Sequence, residues 1–177
     1  MTDSTERGDI DPEERLRDEQ GVRSQAWEQT NEEMELLAEE RRDEGWRAVT
    51  IPAVHTSIVT KDMGEEDDDE FGIEYVIPDN YAEEFTDAFD PDAVSEYQVY
   101  RTIANQNVFQ VIELLAPESE TVIMIAGMYE LRHAGGIKEN AKTEDELYTF
   151  VRTIDGTRLG MLRHEDYQPL LPRPGAE

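Results

Sequence analysis

Residues 97–128 read YQVYRTIANQNVFQVIELLAPESETVIMIAGM, and this stretch decides the fold. Its first part, 97–104, alternates apolar and polar residues, as a strand with one buried face does. Turn residues at 105–107 and at 117–120 then divide the remainder into two further strands. The last strand, 121–128, is apolar on both faces, so we expect it in the middle of a sheet that is covered on each side. Two helices, a partner subunit or both would have to supply this cover.

A long amphipathic helix is predicted upstream of these strands, from about Ser24 to a stop at Gly45. Apolar residues recur there at helical spacing, and glutamates fill the opposite side. The apolar stripe consists of Trp27, Met34, Leu37 and Ala38, with Thr30 on the same side. Further strands are predicted at 46–51, 55–60 and 71–77, followed by a short second helix through Phe89.

Asp155-Gly156 is the clearest hairpin signal, because it stands between two strand-like runs within 146–163. The dipeptide predicts a type I′ turn. In that register one face of the hairpin would carry Phe150, Arg152, Ile154, Leu159 and Met161. Together the patterns predict an α+β fold: a mostly antiparallel sheet of six to eight strands, with the N-terminal helix and the second short helix packed on it.

The domain organisation follows from composition along the chain. Residues 1–23 are predicted to be an acidic tail, disordered or a frayed helix. Residues 24–168 are predicted to form a single α+β domain, and 169–177 an extended proline-rich tail. A chain of 177 residues is long enough for one domain with a core and short for two.

The charge is extreme, with 43 acidic residues against 16 basic ones and a formal net charge of −27. Such self-repulsion strains a compact state in dilute buffer, whereas molar salt shortens the Debye length to about 3 Å and screens it. The composition therefore predicts a salt-adapted protein. Acidic tails on a protein from a low-salt organism are the alternative.

Composition also excludes several classes of protein. The absence of cysteine excludes disulfides and cysteine-ligated zinc. Without a cluster of lysine and arginine, nucleic-acid binding through a general basic patch is not expected. The polar N-terminus argues against a signal peptide, and the longest apolar run, 122–128, is too short to cross a bilayer, which needs about 20 residues. A cytoplasmic location and no membrane partner are therefore predicted.

No motif of a known reaction or cofactor site is present: no GxGxxG, GxxxxGK[ST], HExxH or GxSxG. We therefore predict no cofactor, no metal and no catalytic residue. The acidic run 65–70 could collect a cation, but consecutive carboxylates on a loop make a poor preformed cage. A solvated loop is the better interpretation.

Arg101 and Glu113 are the first pair of candidate binding residues. If Ala104 pairs with Val108, Arg101 and Glu113 are diagonal neighbours on one face of the sheet, about 7–8 Å apart. Such a pair is either a structural ion pair or a polar anchor in a pocket.

Arginines of the sheet region extend this hypothesis. Arg152, Arg158 and Arg163, together with Arg101, lie where acidic residues thin out and could form a patch for an acidic partner or an anionic ligand. The histidines, His55, His133 and His164, are general-base or metal-ligand candidates only by residue type, because no spacing links them. Ordinary positions in loops or at strand ends are expected for them.

Five segments of the chain carry a resemblance. They are Asp43-Glu44-Gly45-Trp46, the run from Phe71 to Asp79, the run from Tyr97 to Arg101, the run from Met128 to Arg132, and the run from Tyr148 to Arg152. With these segments the chain resembles a haloarchaeal family of small proteins of unknown function. The similarity covers about residues 25–171. It implies a salt habitat and a single domain, and none of these segments is a reaction signature.

Three functional hypotheses remain. The first is a non-enzymatic binding or assembly protein whose partner is a second copy, in a homodimer, or another protein. The second is a sensor of small anionic ligands that uses Arg101, Glu113, Arg152 and Arg163. The third, which the sequence favours least, is a metal-dependent hydrolase in which at least two histidines converge.

Overall fold

A computed structural model describes residues 11–61 and 70–172 of the chain. Within these ranges the helices are α1 (Pro12–Asp43), α2 (Ala82–Ala88) and α3 (Ala134–Glu144). The strands are β1 (Arg47–Pro52), β2 (His55–Val59), β3 (Gly72–Ile77), β4 (Glu96–Ala104), β5 (Asn107–Ala116), β6 (Thr121–Glu130), β7 (Leu147–Thr153) and β8 (Arg158–His164). Short 3₁₀ turns precede α2 and α3.

The eight strands form two four-stranded sheets. Sheet A has the order β1-β6-β5-β4, and sheet B has the order β2-β3-β7-β8. The α+β class, the N-terminal helix and the six to eight strands are confirmed, but the prediction of a single sheet is wrong, because the strands form two. Both sheets are mixed: β1 pairs with β6 and β3 pairs with β7 in parallel, while the other four pairs are antiparallel. Both parallel pairs join strands far apart in sequence, and apolar periodicity does not encode such pairing.

Three layers build the core. The inner face of sheet A packs against sheet B, and the apolar side of α1 covers the outer face of sheet A. Strand β6 lies inside sheet A, as its apolar character predicted, and most of its residues are buried. Its second face is covered by sheet B, and not by a helix or a partner subunit as predicted.

Helix α1 starts earlier than the sequence indicated. It begins at Pro12, where the Asp11 side chain accepts a hydrogen bond from the backbone N–H of Glu13, so residues 12–23 of the predicted tail are helical. Residues 1–10 of that tail lie outside the described ranges. The predicted apolar stripe is confirmed, since Thr30, Met34 and Ala38 are buried.

The turns of the two principal hairpins differ from the prediction. Asn105 and Gln106 both have positive φ, 49° and 64°, and form a two-residue turn of the I′ kind between β4 and β5. At the β7–β8 turn only Gly156 has positive φ, 95°, so the predicted type I′ turn at Asp155-Gly156 is wrong. Thr153 N–H donates to Thr157 C=O at 3.0 Å, which leaves three residues, 154–156, in the loop, and Gly156 N–H donates to Thr153 C=O at 3.0 Å.

A register shift next to this turn changes the face of one residue. Phe150 pairs with Met161 and Arg152 with Arg158, with an irregularity between Val151 and Arg152. The shift turns Leu159 towards the core between the sheets. The predicted common face is therefore correct for Phe150, Arg152 and Met161 and wrong for Leu159, while Ile154 is 63% exposed in the turn.

Candidate functional site

The structure separates Arg101 from Glu113. Because the β4–β5 turn has two residues, Ala104 pairs with Asn107 and not with Val108. A shift of one residue turns every side chain of a strand to the opposite face. Arg101 therefore lies opposite Gln110 on the side of sheet B, whereas Glu113 points towards α1. The predicted diagonal pair does not exist.

Glu113 is a structural residue of the interface between α1 and sheet A. It is fully buried, and Arg41 of α1 donates to its two carboxylate oxygens at 3.1 and 3.2 Å. Tyr100 donates to the same carboxylate at 3.4 Å. The bond to Glu113 raises the pKa of Arg41, and burial raises the pKa of Tyr100. The charge of the carboxylate is thus balanced by Arg41 inside the fold.

Arg101 also makes internal contacts. Its guanidinium donates to Gln110 at 3.3 Å and to the Pro169 carbonyl at 2.8 Å. Gln110 in turn donates to the Tyr75 hydroxyl of sheet B at 2.9 Å, and burial raises the pKa of Tyr75. Arg101 therefore links the two sheets and holds the C-terminal segment.

The other predicted arginines lie on the outer face of sheet B, apart from Arg101. Arg152 pairs with Glu74 at 2.8 Å, and Arg163 pairs with Glu146 at 2.8 Å. Arg158 pairs with Glu70 at 3.1 Å and lies over the Phe150 ring. Each guanidinium has a carboxylate partner, so the geometry does not gather them into one anion site.

His164 is isolated from the other two histidines. It is buried, its Nε2 lies 2.8 Å from Thr149 Oγ1, and its ring packs edge-on against Tyr97. Burial lowers its pKa to about 4. A neutral, internally hydrogen-bonded imidazole of this kind belongs to the core.

His55 and His133, in contrast, line one cleft with Arg23. The cleft has two lobes, which share Arg23, His55, Thr56 and Met128. The apolar lobe, about 480 Å³, adds Ser24, Trp27, Pro52, Ala53, Val54 and Pro78. The polar lobe, about 420 Å³, adds Ser57, Ile58, Asn107, Tyr129, Glu130 and His133. We call the whole the α1 cleft.

The strand topology explains why these segments meet. Parallel pairing of β1 with β6 brings their carboxyl ends to the same edge of sheet A, where Ala53 N–H donates to Ala126 C=O at 2.9 Å. The β1–β2 connection, with His55 at its end, therefore lies beside the end of β6. Helix α1 supplies the third wall through Arg23 and Trp27.

The polar lobe contains one arginine, two histidines and one carboxylate among its lining residues. Its carboxylate, Glu130, pairs with Arg132 at 2.7 Å and contacts His133 at 3.3 Å. The hydrogen bond from Arg132 is the largest cause that lowers the pKa of Glu130, and Arg23 contributes through space. Arg132, His133 and Arg23 thus lie near one carboxylate. Arg23 forms no ion pair with the residues that the structure describes.

Thr56 lines both lobes of the cleft, but its hydroxyl is buried. Its residue is 5% exposed, and its hydroxyl has no hydrogen-bond partner within 11–61 and 70–172. Buried hydroxyls are normally paired, so such a group calls for an explanation. The hydroxyl lies in the interior near Gly127, where an added Cβ would be 2.6 Å from Thr56 Oγ1, so it is not exposed to the cleft.

The metal alternative finds no centre in the described part of the chain. No group of three or more histidine and carboxylate side chains there is arranged to hold a metal ion. Two histidines share the α1 cleft, but the third lies at the Thr149–Tyr97 contact. Residues 65–69 of the acidic run lie outside the described ranges, and Glu70 pairs with Arg158.

Sequence reasoning missed the α1 cleft for identifiable reasons. Arg23 fell in the predicted tail, and His55 and His133 are 78 positions apart with no common motif. Only the parallel β1–β6 pairing brings the two histidines together. The available signal was weak: each histidine follows or begins a strand, where loop residues of binding sites often lie.

Comparison with known proteins gives a match to a family model. A family model described as a family of unknown function, DUF7529, matches residues 13–172. No curated protein and no solved structure matches the chain. None of the described helices has the length and apolar character needed to cross a membrane.

Proposed function

The chain belongs to this family of unknown function, DUF7529, and we propose that it is a non-enzymatic binding protein for a small anion with an apolar part, held in the α1 cleft. One observation carries the proposal: Arg23, His55 and His133 come from three separate segments and converge on one lobe of a cleft whose other lobe is apolar. This role joins the first two hypotheses from sequence and replaces the predicted sheet-face arginines by a different set.

The chemistry of the two lobes supports an amphipathic ligand. The polar lobe offers Arg23, which no described carboxylate neutralises directly, and a guanidinium is well suited to a carboxylate or phosphate group. The apolar lobe offers Trp27, Pro52 and Val54 as a wall for an aromatic or aliphatic portion. Ligand sites commonly combine an apolar lining with a few polar groups that fix orientation.

Binding is favoured over catalysis by the internal contacts of the cleft. A nucleophilic hydroxyl is normally activated by a hydrogen-bonded base. Within the described ranges, Thr56 has no such partner, and His133 faces the carboxylate of Glu130. The cleft therefore supplies recognition groups without an assembled nucleophile and base.

Calorimetric titration with 1-naphthoate tests the proposal, with neutral 1-naphthalenemethanol as the matched compound. We expect saturable 1:1 binding of 1-naphthoate and at least about tenfold weaker binding of the alcohol, since a charge-assisted contact is worth roughly 1.5–3 kcal/mol. Arg23→Gln should reduce affinity for 1-naphthoate by about tenfold or more. Arg15→Gln, on an exposed part of the same helix, is the control and should bind like the wild type. Equal binding of both compounds, or no effect of Arg23→Gln, would contradict the proposal.

A salt-adapted cytoplasmic role, with a haloarchaeal source, is part of the same proposal. The net charge of −27 and the many exposed glutamates of α1 support it, because screened and hydrated carboxylates suit concentrated salt. The free energy of unfolding, measured in urea, should rise between 0.1 and 2 M KCl, since the Debye length falls over that range. Greatest stability in dilute buffer would argue against a salt habitat.

A further inference from the structure

Strand β4 is a long, regular edge. It forms one end of sheet A, contains nine residues, and pairs with β5 from Glu96 to Ala104 without a register shift. No described strand pairs with its other side. An edge of this kind presents unpaired N–H and C=O groups that can pair with another strand.

The other three edges carry features that hinder such pairing. Strand β2 has only five residues, and β1 ends in Pro52. Strand β8 carries the charged Arg158 and Arg163, and its pairing with β7 contains a register shift. Short strands, proline, charges and bulges are the usual protection of sheet edges. Strand β4 is long and has no proline or bulge, and its one central charge, Arg101, is bound to Gln110 and Pro169 on the side of sheet B.

The pattern of β4 selects the partner. Its side towards sheet B carries the half-buried Tyr97, Val99 and Ile103, and its other side carries the exposed Gln98 and Thr102. A strand added to this edge must present apolar side chains on the side of sheet B and polar side chains on the other side. The same strand from a second copy does so, because antiparallel pairing about a two-fold axis matches side chains of one face with each other.

Charge points to the same contact. Two copies of a chain with net charge −27 can approach only where few carboxylates lie. The charged residues of β4 are Glu96 and Arg101, so the strand is neutral in sum. Helix α1 packs mainly on β1, β6 and β5, which keeps most of its glutamates away from the β4 edge.

We propose that β4 pairs antiparallel with β4 of a second copy, so that two copies of sheet A form one continuous eight-stranded sheet. The contact completes the cover of Val99 and Ile103 at the rim of the core. It is independent of ligand binding, since no residue of β4 lines either lobe of the α1 cleft.

Val99 provides a direct test, because its N–H points away from β5. Ala104 and Asn107 flank the two-residue turn and form the first hydrogen-bonded pair, so alternate residues from Ala104 bond to β5 and Val99 belongs to the other set. Val99→Pro removes an outward donor and leaves the β4–β5 ladder intact. We expect the wild type to be a dimer by light scattering in 2 M KCl and Val99→Pro to be a monomer. Val99→Ala, which keeps the N–H, should remain a dimer.

Two results would overturn the proposal: a monomeric wild type at every concentration, or a Val99→Pro variant that is folded and dimeric. If circular dichroism shows that Val99→Pro does not fold, Thr102→Lys replaces it, with Thr86→Lys on exposed α2 as the control for added charge. Thr102→Lys should then raise the dimer dissociation constant at least tenfold, and Thr86→Lys should leave it unchanged. Equal dissociation constants for both lysine variants would exclude the β4 edge.

Discussion

Arg41 of α1 and Glu113 of β5 form a two-point ion pair at 3.1 and 3.2 Å, with the carboxylate wholly shielded from solvent. The pair joins the longest helix to the centre of sheet A and fixes how α1 lies on that sheet. Its partners come from the last turn of α1 and from a strand that is otherwise almost entirely apolar. Such a pair orients packed elements even when it adds little net stability.

Removal of one partner from this pair should lower the free energy of unfolding much more than removal of both. Arg41→Met leaves the Glu113 charge buried without its cation, so we expect a loss of about 3 kcal/mol in the free energy of unfolding. Arg41→Met combined with Glu113→Leu should recover most of that loss. Urea unfolding at constant KCl measures both, with Arg15→Met as the surface control. A double variant as unstable as the single one would refute this account.

Acid should destabilise the fold partly through His164. Burial lowers the pKa of His164 to about 4, below the ordinary value of 6.5, so the unfolded state takes up the proton first. The contribution of His164 to the free energy of unfolding is fully present above about pH 6.5 and is lost as the pH falls towards 4. Its full size is up to about 3 kcal/mol.

His164→Gln isolates this effect from the many carboxylates. The difference in the free energy of unfolding between wild type and variant should shrink between pH 7 and pH 4, because the carboxylates titrate equally in both. Urea unfolding at each pH, in the same KCl concentration, provides the measurement. A constant difference across that range would mean that His164 is not held neutral by the fold.

Local patterns predicted the elements well and their partners poorly. The α1 stripe and the central position of β6 followed from periodicity, which reports the faces that are buried. The candidate site did not follow, because the position of Arg101 depends on one residue of turn length and that of His55 depends on a parallel pairing between distant strands. Those features are decided by tertiary packing and leave no local pattern.

Substitutions in the two hairpin turns should change the stability of the protein in opposite directions. Gln106 has a φ of 64°, where glycine is favoured, so Gln106→Gly should stabilise the protein by up to about 1 kcal/mol. Gly156 has a φ of 95°, so Gly156→Gln should destabilise it by at least a similar amount. Thermal unfolding of both variants checks this, and destabilisation by Gln106→Gly would show that the side chain of Gln106 has a role beyond the turn.

Two other glycines should respond in opposite directions to the same added methyl group. At Gly72, a Cβ would lie 1.9 Å from the Tyr148 carbonyl oxygen in the parallel β3–β7 pair, and backbone there cannot move aside without separating the strands. Gly72→Ala should therefore destabilise by several kcal/mol, above the roughly 1–3 kcal/mol of ordinary overpacking. At Gly135, in the first turn of α3, a Cβ meets no atom within 4 Å. Gly135→Ala should stabilise by up to about 1 kcal/mol, since alanine is the better helix former. Thermal unfolding in fixed KCl compares the two variants, and a tolerated Gly72→Ala would contradict the close β3–β7 approach on which the order of sheet B depends.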